Sequence, residues 1–446
     1  MSEVTRWLRV EPRRPAGVRE HRYAPWLAVG AVCVGAFLGQ LDASIVTVAL
    51  PSIRADLHVS LGAVEWVSLS YLLVLIGTIS AIGRLADRFG RKLLYVYGFA
   101  LFTLASVGCG LAPSLAVLVI LRAVQGVGAA MLQANSVALI RTTVRGERLT
   151  RAIGIQGAAQ AIGLAMGPAV GGLLVHAGGW RWVFLVNVPV GVVGIVLGVL
   201  LLPRTRVWAL PGRFDRAGLL VLMPASGALL LGLSLLGRDG PSIAVVALLA
   251  LAAGLAALLV LIERRAAAPL LDLALIRARP VGPAVGSGLL AYLVLFGVLL
   301  AVPLHVDSPL TAGLVLSVLP AALGLVAVRA GSIPRRMAPL GLAALGVACA
   351  VIAAAPDNRA VLIGMLALAG AGLGLFTPAN NAVIAGAGAA ENAGMVSGLL
   401  NMTRGIGTSL GVAVAGTAYL HGGFAATMTT LAVLAAAATL IAAGQR

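Results

Sequence analysis

The 446-residue chain is 60% hydrophobic and 11% charged, with a mean hydropathy of +1.03, whereas soluble domains carry roughly 25% charged residues. A soluble globular protein is excluded, and an integral membrane protein is described. The net charge of +17 comes almost wholly from arginine, with Lys92 the one lysine; its spread along the chain, rather than in one module, excludes a nucleic-acid-binding domain.

Residues 1–24 form a polar, Arg-rich tail. The apolar run after it is too long for a secretory signal and lacks a small-residue cleavage site, so we read it as an uncleaved first span. Stretches long enough to cross ~30 Å of hydrocarbon follow in order. They are 25–50, 62–83, 93–112, 115–140, 152–175, 183–203, 217–236, 242–262, 282–304, 310–330, 339–356, 360–384, 394–417 and 423–443, fourteen in all. With the N-terminus in the cytoplasm, 26 of the 32 basic residues fall in the tail, the inner loops and the C-terminus. Arg54, Arg181, Arg238 and Arg359 fall outside, and Arg122 and Arg404 within spans. That bias matches the excess of Lys and Arg expected in cytoplasmic loops, and it places both termini inside.

Asp42, in "GQLDASIVTVALPSI", is the one carboxylate placed mid-span; the other fourteen fall in loops or at span ends. An ionised Asp there costs about 2.5–3.5 kcal/mol on insertion scales, so it is expected to line a polar path or pair with a charge. Arg122 is the partner by depth, since at 1.5 Å per residue both lie ~10–12 Å below the outer surface. The pair is either a static packing element or a proton-coupling site, in which the acid alternates between an Arg-paired and a desolvated setting. In the first inner loop, "GRLADRFGRKLL" sets Asp87 between Gly83 and Gly90, an arrangement suited to a tight turn whose acid reaches a helix N-terminus. In the fifth span Gly163, Gly167 and Gly171 recur every four residues, with Pro168 and Gly172 beside them, and present a side-chain-free face for close packing. Cys33, Cys109 and Cys349 stand singly without His companions, so they read as packing residues and no metal site is expected.

Several of these stretches carry a resemblance. "GRLADRFGRK", with Gly83, Asp87, Arg88, Gly90 and Arg91, resembles the loop motif of the major facilitator superfamily. "LRAVQGVGAA", with Arg122, Gln125 and Gly126, resembles its R-x-x-Q-G motif. Gly154, Gly163, Gly167, Pro168, Gly171 and Gly172 reproduce the antiporter motif of its fourteen-span drug:proton exporters, and "WRWVFLVNVPVG" also looks like that branch. The resemblance covers most of residues 40–200, with weaker matches at "FDRAGLL", "ERRAAAPLLDL" and "NMTRGIGTSLGVAVAG".

What it implies is an all-α membrane protein with two six-helix bundles, 25–203 and 282–443, and two further spans in a linker, 204–281. It implies alternating access in a bacterial cytoplasmic membrane, with Asp42 and Arg122 coupling protons to export of amphipathic molecules such as drugs, dyes or antibiotics. The glycine face is then expected near the outside against the first helices of the second bundle, and Asp87 at the inner gate. Polar or aromatic candidates for a central cavity are Tyr71, Gln125, Gln156, Tyr292, Asn380, Asn381, Asn401 and Arg404; helix–helix hydrogen bonding is an equal reading for each. Thr47 replaces the family's common Asn, and no acid in a second-half span matches Arg404, which disfavours dicationic cargo. Neither catalytic residues nor a cofactor is expected, since no G-x4-G-K-[ST] phosphate loop occurs. Partners are protons, lipid and a small amphipathic substrate, with a monomer as working unit. The alternatives are a proton-coupled solute symporter and a transport-dead scaffold or sensor.

Overall fold

The computed structural model describes residues 11, 13–144, 147–205, 216–265, 279–329, 337–386 and 393–444. Helix lies on each of the fourteen apolar stretches, and no strand occurs among the described residues. We number them α1 (Ala24–Asp56), α2 (Trp66–Phe89), α3 (Arg91–Gly110), α4 (Leu115–Thr143), α5 (Glu147–Gly178), α6 (Asn187–Leu201), α7 (Arg216–Asp239), α8 (Ile243–Arg265), α9 (Val281–His305), α10 (Pro309–Arg329), α11 (Ala338–Ala354) and α12 (Arg359–Gly386). The last helix, Ala393–Ala443, is broken at Gly423, whose φ of 69° favours glycine, so 393–422 is α13 and 424–443 is α14. Among the described residues eleven helices, that broken one counted once, are long and apolar enough to cross a membrane; Leu220–Leu233 and Ala338–Ala354 are shorter apolar segments.

The helices alternate in direction. We call the membrane face where α1 begins the tail side and the opposite face the far side. On the far side five helix starts are capped from the sequence itself. Ser60, Ser114, Ser242 and Ser308 accept from the backbone N–H of Ala63, Val117, Val245 and Thr311 respectively, and Asn358 accepts from those of Ala360 and Val361. Each cap satisfies orphan donors that hydrocarbon could not. On the tail side Gly90, at φ 105°, turns α2 into α3, and a Cβ there would strike the Glu11 carboxylate. Glu11 accepts from the Lys92 N–H and from Thr205, while the Lys92 ammonium donates to the Val199 and Leu202 carbonyls at the end of α6. The single lysine thus closes a helix C-terminus.

Glycines set how closely the helices approach. α3 lies on α4 through Gly98 and Gly128, α11 on α12 through Gly341 and Gly372, and α9 on α13 through Gly407 and Gly411. Large apolar side chains such as Leu104, Ile120, Ile243 and Leu440 stay exposed on the outer surface, as a lipid-facing belt requires. The first and last six helices meet mainly at two related crossings, α5 with α10 and α2 with α13, with a smaller contact of α1 on α9 and α10, and α7 packs on α8, α2 and α13. Near the far side one apolar core runs across both sets, joining Ile45, Leu50, Val64 and Phe184 to Leu300, Val412 and Ala415.

Candidate transport site

α1 carries two polar faces. Gln40 and Ser44, one helical turn apart, lie toward α5, whereas Asp42 points the opposite way into the first six helices. There the Asp42 carboxylate is fully buried and accepts three hydrogen bonds. Arg122 Nη1 donates to Oδ2 at 2.7 Å; Gln125 Nε2 at 3.0 Å and Asn187 Nδ2 at 2.8 Å both donate to Oδ1. Arg122, 1% exposed, also donates to the Gln125 Oε1 at 2.7 Å and to the Val67 carbonyl at 2.8 Å, with its guanidinium 4.3 Å from the Tyr71 ring centre. Gln125 donates in turn to Ser106 Oγ at 2.8 Å. A carboxylate that only accepts, surrounded by donors from α4 and α6, is built for the ionised acid. Oδ1 has both lone pairs engaged by neutral amides, while Oδ2 accepts the one charged donor, so the negative charge of Asp42 is matched by Arg122.

A separate cavity of about 370 Å³ lies between the first and last six helices. Its walls are mostly apolar, with Leu164, Leu295, Leu323 and Leu373, and its polar lining is Gln40, Gln160, Tyr292, Thr377, Asn381 and Arg404. The lining residues of α5, α10 and α12 sit on the tail-side parts of those helices. Beyond them, toward the far side, α5 and α10 close on each other: a Cβ on Gly172 would strike Pro309 and Gly313, and one on Gly313 would strike the Pro168 carbonyl. The second crossing closes at the same level, where a Cβ on Gly416 of α13 would strike the Glu65 carboxylate at the start of α2.

The Major Facilitator Superfamily sequence profile matches residues 32–304, well over half of the chain. The chain belongs to the major facilitator superfamily. Among its relatives, the multidrug resistance protein Stp of Mycobacterium tuberculosis is 35% identical over 413 residues, 87% of this chain and 75% of Stp. The tetracenomycin C resistance and export protein of Streptomyces glaucescens is 33% identical over 408 residues, 89% of this chain and 76% of that protein. In three dimensions the chain superposes on a POT family transporter crystallised with 5-aminolevulinic acid, with a TM-score of 0.69 over 93% of this chain and 94% of the other. At 13% identity that likeness shows the fold alone. The chain is therefore a multi-pass membrane transporter of the multidrug-exporter branch, not an enzyme.

In this facilitator the candidate residues divide. Tyr292, Asn381 and Arg404 line the cavity. Tyr71 and Gln125 belong instead to the Asp42 network, Gln156 bonds Ser136, and Asn380 packs beside Ser287; these and Asn401 are not among the lining residues. Of the glycine motif, Gly154 borders the cavity. The expectation for Gly163, Gly167 and Gly171 is corrected: their Cβ positions abut Phe37, Ser44 and Ile45 of α1, within the first six helices, and it is Pro168 and Gly172, rotated about 100° around α5, that meet α10. In the loop motif Gly90 makes the α2–α3 turn and the Arg91 N–H donates to Thr205, while the side chains of Asp87 and Arg88 lie outside the described residues. Gly83 has open space where a Cβ would be.

Residues that sequence reasoning missed complete the picture. Asn187 and Ser106 are single polar residues in apolar runs, and Gln40 stands only two places before Asp42. Glu65, read as a span-end residue, is 1% exposed, and its Oε1 has no hydrogen-bond partner. The cysteines are free, and among the described residues no cluster of metal ligands occurs.

Proposed function

We propose that the chain is a proton-coupled antiporter that exports amphipathic small molecules across a bacterial cytoplasmic membrane, with the tail side facing the cytoplasm. Two six-helix bundles, 25–203 and 282–443, rock about the cavity, and the pair within 204–281 is an insertion. The observation that carries this reading is the buried Asp42 network standing apart from the cavity on the opposite face of one helix. α1 offers Asp42 to Arg122, Gln125 and Asn187 on one side and Gln40 and Ser44 to the cavity and α5 on the other. A proton arriving from outside breaks the network and shifts α1 against the α5 glycines. Loss of that proton to the cytoplasm rebuilds the network and with it the arrangement closed on the far side. Substrate and proton therefore favour different bundle arrangements, and coupling follows from that difference. The names of the two relatives, one for multidrug resistance and one for resistance and export, support the direction.

The test is proton flux in inverted membrane vesicles bearing the protein and an imposed pH gradient. An amphipathic dye added to the medium should enter the vesicles and dissipate the gradient faster than in vesicles without the protein. Uptake coupled in the same direction as the proton would instead assign symport. No dye-dependent proton flux across a broad panel would assign a scaffold or sensor.

A further inference from the structure

The cavity holds one charged side chain among its lining residues, and it is a cation. Arg404 of α13 donates from Nε to the Tyr292 hydroxyl at 3.2 Å and from Nη1 to the Gln160 Oε1 at 3.3 Å, with its guanidinium 5.4 Å from the Tyr292 ring centre. Both acceptors are neutral. A guanidinium has five N–H donors, and among the described residues Nη2 neither bonds nor is buried, so donors remain for a ligand. Among the described residues no carboxylate pairs with it. From residue 281 onward the acids are Asp307, Asp357 and Glu391. The first two lie in loops at the far ends of α9 and α11, Glu391 lies outside the described residues, and Asp42 is already held by Arg122.

Gln160 and Arg404 come from different sets of helices, α5 and α13, so their bond spans the cavity from one set to the other. We propose that the cavity selects acidic amphiphiles: a planar apolar body lies among Leu164, Leu295, Leu323 and Leu373, and a carboxylate, phenolate or enolate seats on Arg404, replacing Gln160 as its partner. A delocalised anion suits a planar guanidinium better than a neutral amide does, and an uncompensated cation in a mostly apolar cavity repels cationic cargo. Displacing Gln160 removes one bond between the two helix sets, so anion binding also loosens the arrangement that must open. This inference rests on the reading of the cavity as the cargo site.

Two xanthene dyes of similar shape and opposite charge provide the test: fluorescein as the anion and a rhodamine methyl ester as the cation. Binding to the full-length protein in detergent is measured by fluorescence anisotropy, separately from transport in proteoliposomes. The wild type should bind fluorescein at least roughly tenfold more tightly than the rhodamine. Arg404→Gln should weaken fluorescein roughly ten- to hundredfold, as expected for a charge-assisted bond, and leave the rhodamine unweakened. Arg404→Lys keeps the charge and should keep the preference for fluorescein, which preserves the test should the Gln variant fail to fold. Equal or cation-favouring binding by the wild type would overturn the proposal. So would parallel loss of both dyes in a folded Arg404→Gln protein, or loss of the preference in Arg404→Lys. Anion-selective binding without gradient-driven transport would retain the site and reject the exporter reading; transport without charge preference would do the reverse.

Discussion

Asp42 is held by more groups than the one arginine that matches its depth. Arg122 neutralises it, Gln125 and Asn187 share its other oxygen, and Ser106 and the Val67 carbonyl position Gln125 and Arg122 in turn. Removing one charge of a buried pair leaves the other uncompensated, which costs about 3–5 kcal/mol. Arg122→Ala should therefore lower the thermal unfolding temperature in detergent sharply. Asn187→Leu removes a neutral donor and should cost less, about 1–3 kcal/mol. If the two variants unfold at the same temperature as wild type, the network is not the buried, charge-bearing unit described. The Asp42–Arg122 pairing was legible in the sequence because a lone acid in an apolar run is conspicuous and helix rise converts position into depth. Asn187, Gln40 and Gln160 were not, because an amide in a span is equally at home in a helix–helix bond, and only the packing says which face meets which neighbour.

At the scale of elements, α5 shows what a motif can and cannot tell. The spacing of Gly163, Gly167 and Gly171 announces a close approach, yet it does not name the neighbour. In the fold that stripe belongs to α1, and a second stripe, Pro168 and Gly172, meets α10. The two stripes should fail differently. Gly167→Leu pushes a side chain into Ser44 and Ile45, so it should act as overpacking, with about 1–3 kcal/mol lost from the folded state. Gly172→Leu pushes against Pro309 and Gly313 at the far-side closure, so it should leave stability closer to wild type and admit a proton leak. Leak per inserted molecule in proteoliposomes separates them. A tightly sealed Gly172→Leu variant would remove this crossing from the closure.

For the whole molecule, the fourteen apolar stretches and the order of the helices were readable, since hydrocarbon thickness and the need to bond every backbone group leave few choices. The relation between the first and last six helices was not, because it depends on which glycines face across the seam. Two crossings, α5 with α10 and α2 with α13, close the far side. Locking one should therefore stop the cycle. In a background lacking Cys33, Cys109 and Cys349, a cysteine pair across the α5–α10 seam is placed beside Gly172 rather than at it, so that no Cβ meets the Pro309 carbonyl. Oxidation should abolish transport, dithiothreitol should restore it, and neither single-cysteine variant should respond. Undiminished transport in the fully crosslinked protein would mean that this seam does not open.

The separation of the Asp42 network from the cavity makes one demand that a simple loss of function would not meet. Asp42→Asn keeps the shape but cannot carry a proton, and because it leaves Arg122 without its counter-charge both activities are measured per folded, inserted molecule. It should therefore lose accumulation of substrate against its gradient under an imposed pH difference, falling to the level of empty liposomes. Exchange of labelled for unlabelled substrate at equal pH should persist, because the cavity is untouched. Measuring both in one proteoliposome preparation tests the coupling directly: loss of accumulation with retained exchange is the expected result, and an Asp42→Asn protein that still concentrates substrate at the expense of the proton gradient would contradict it.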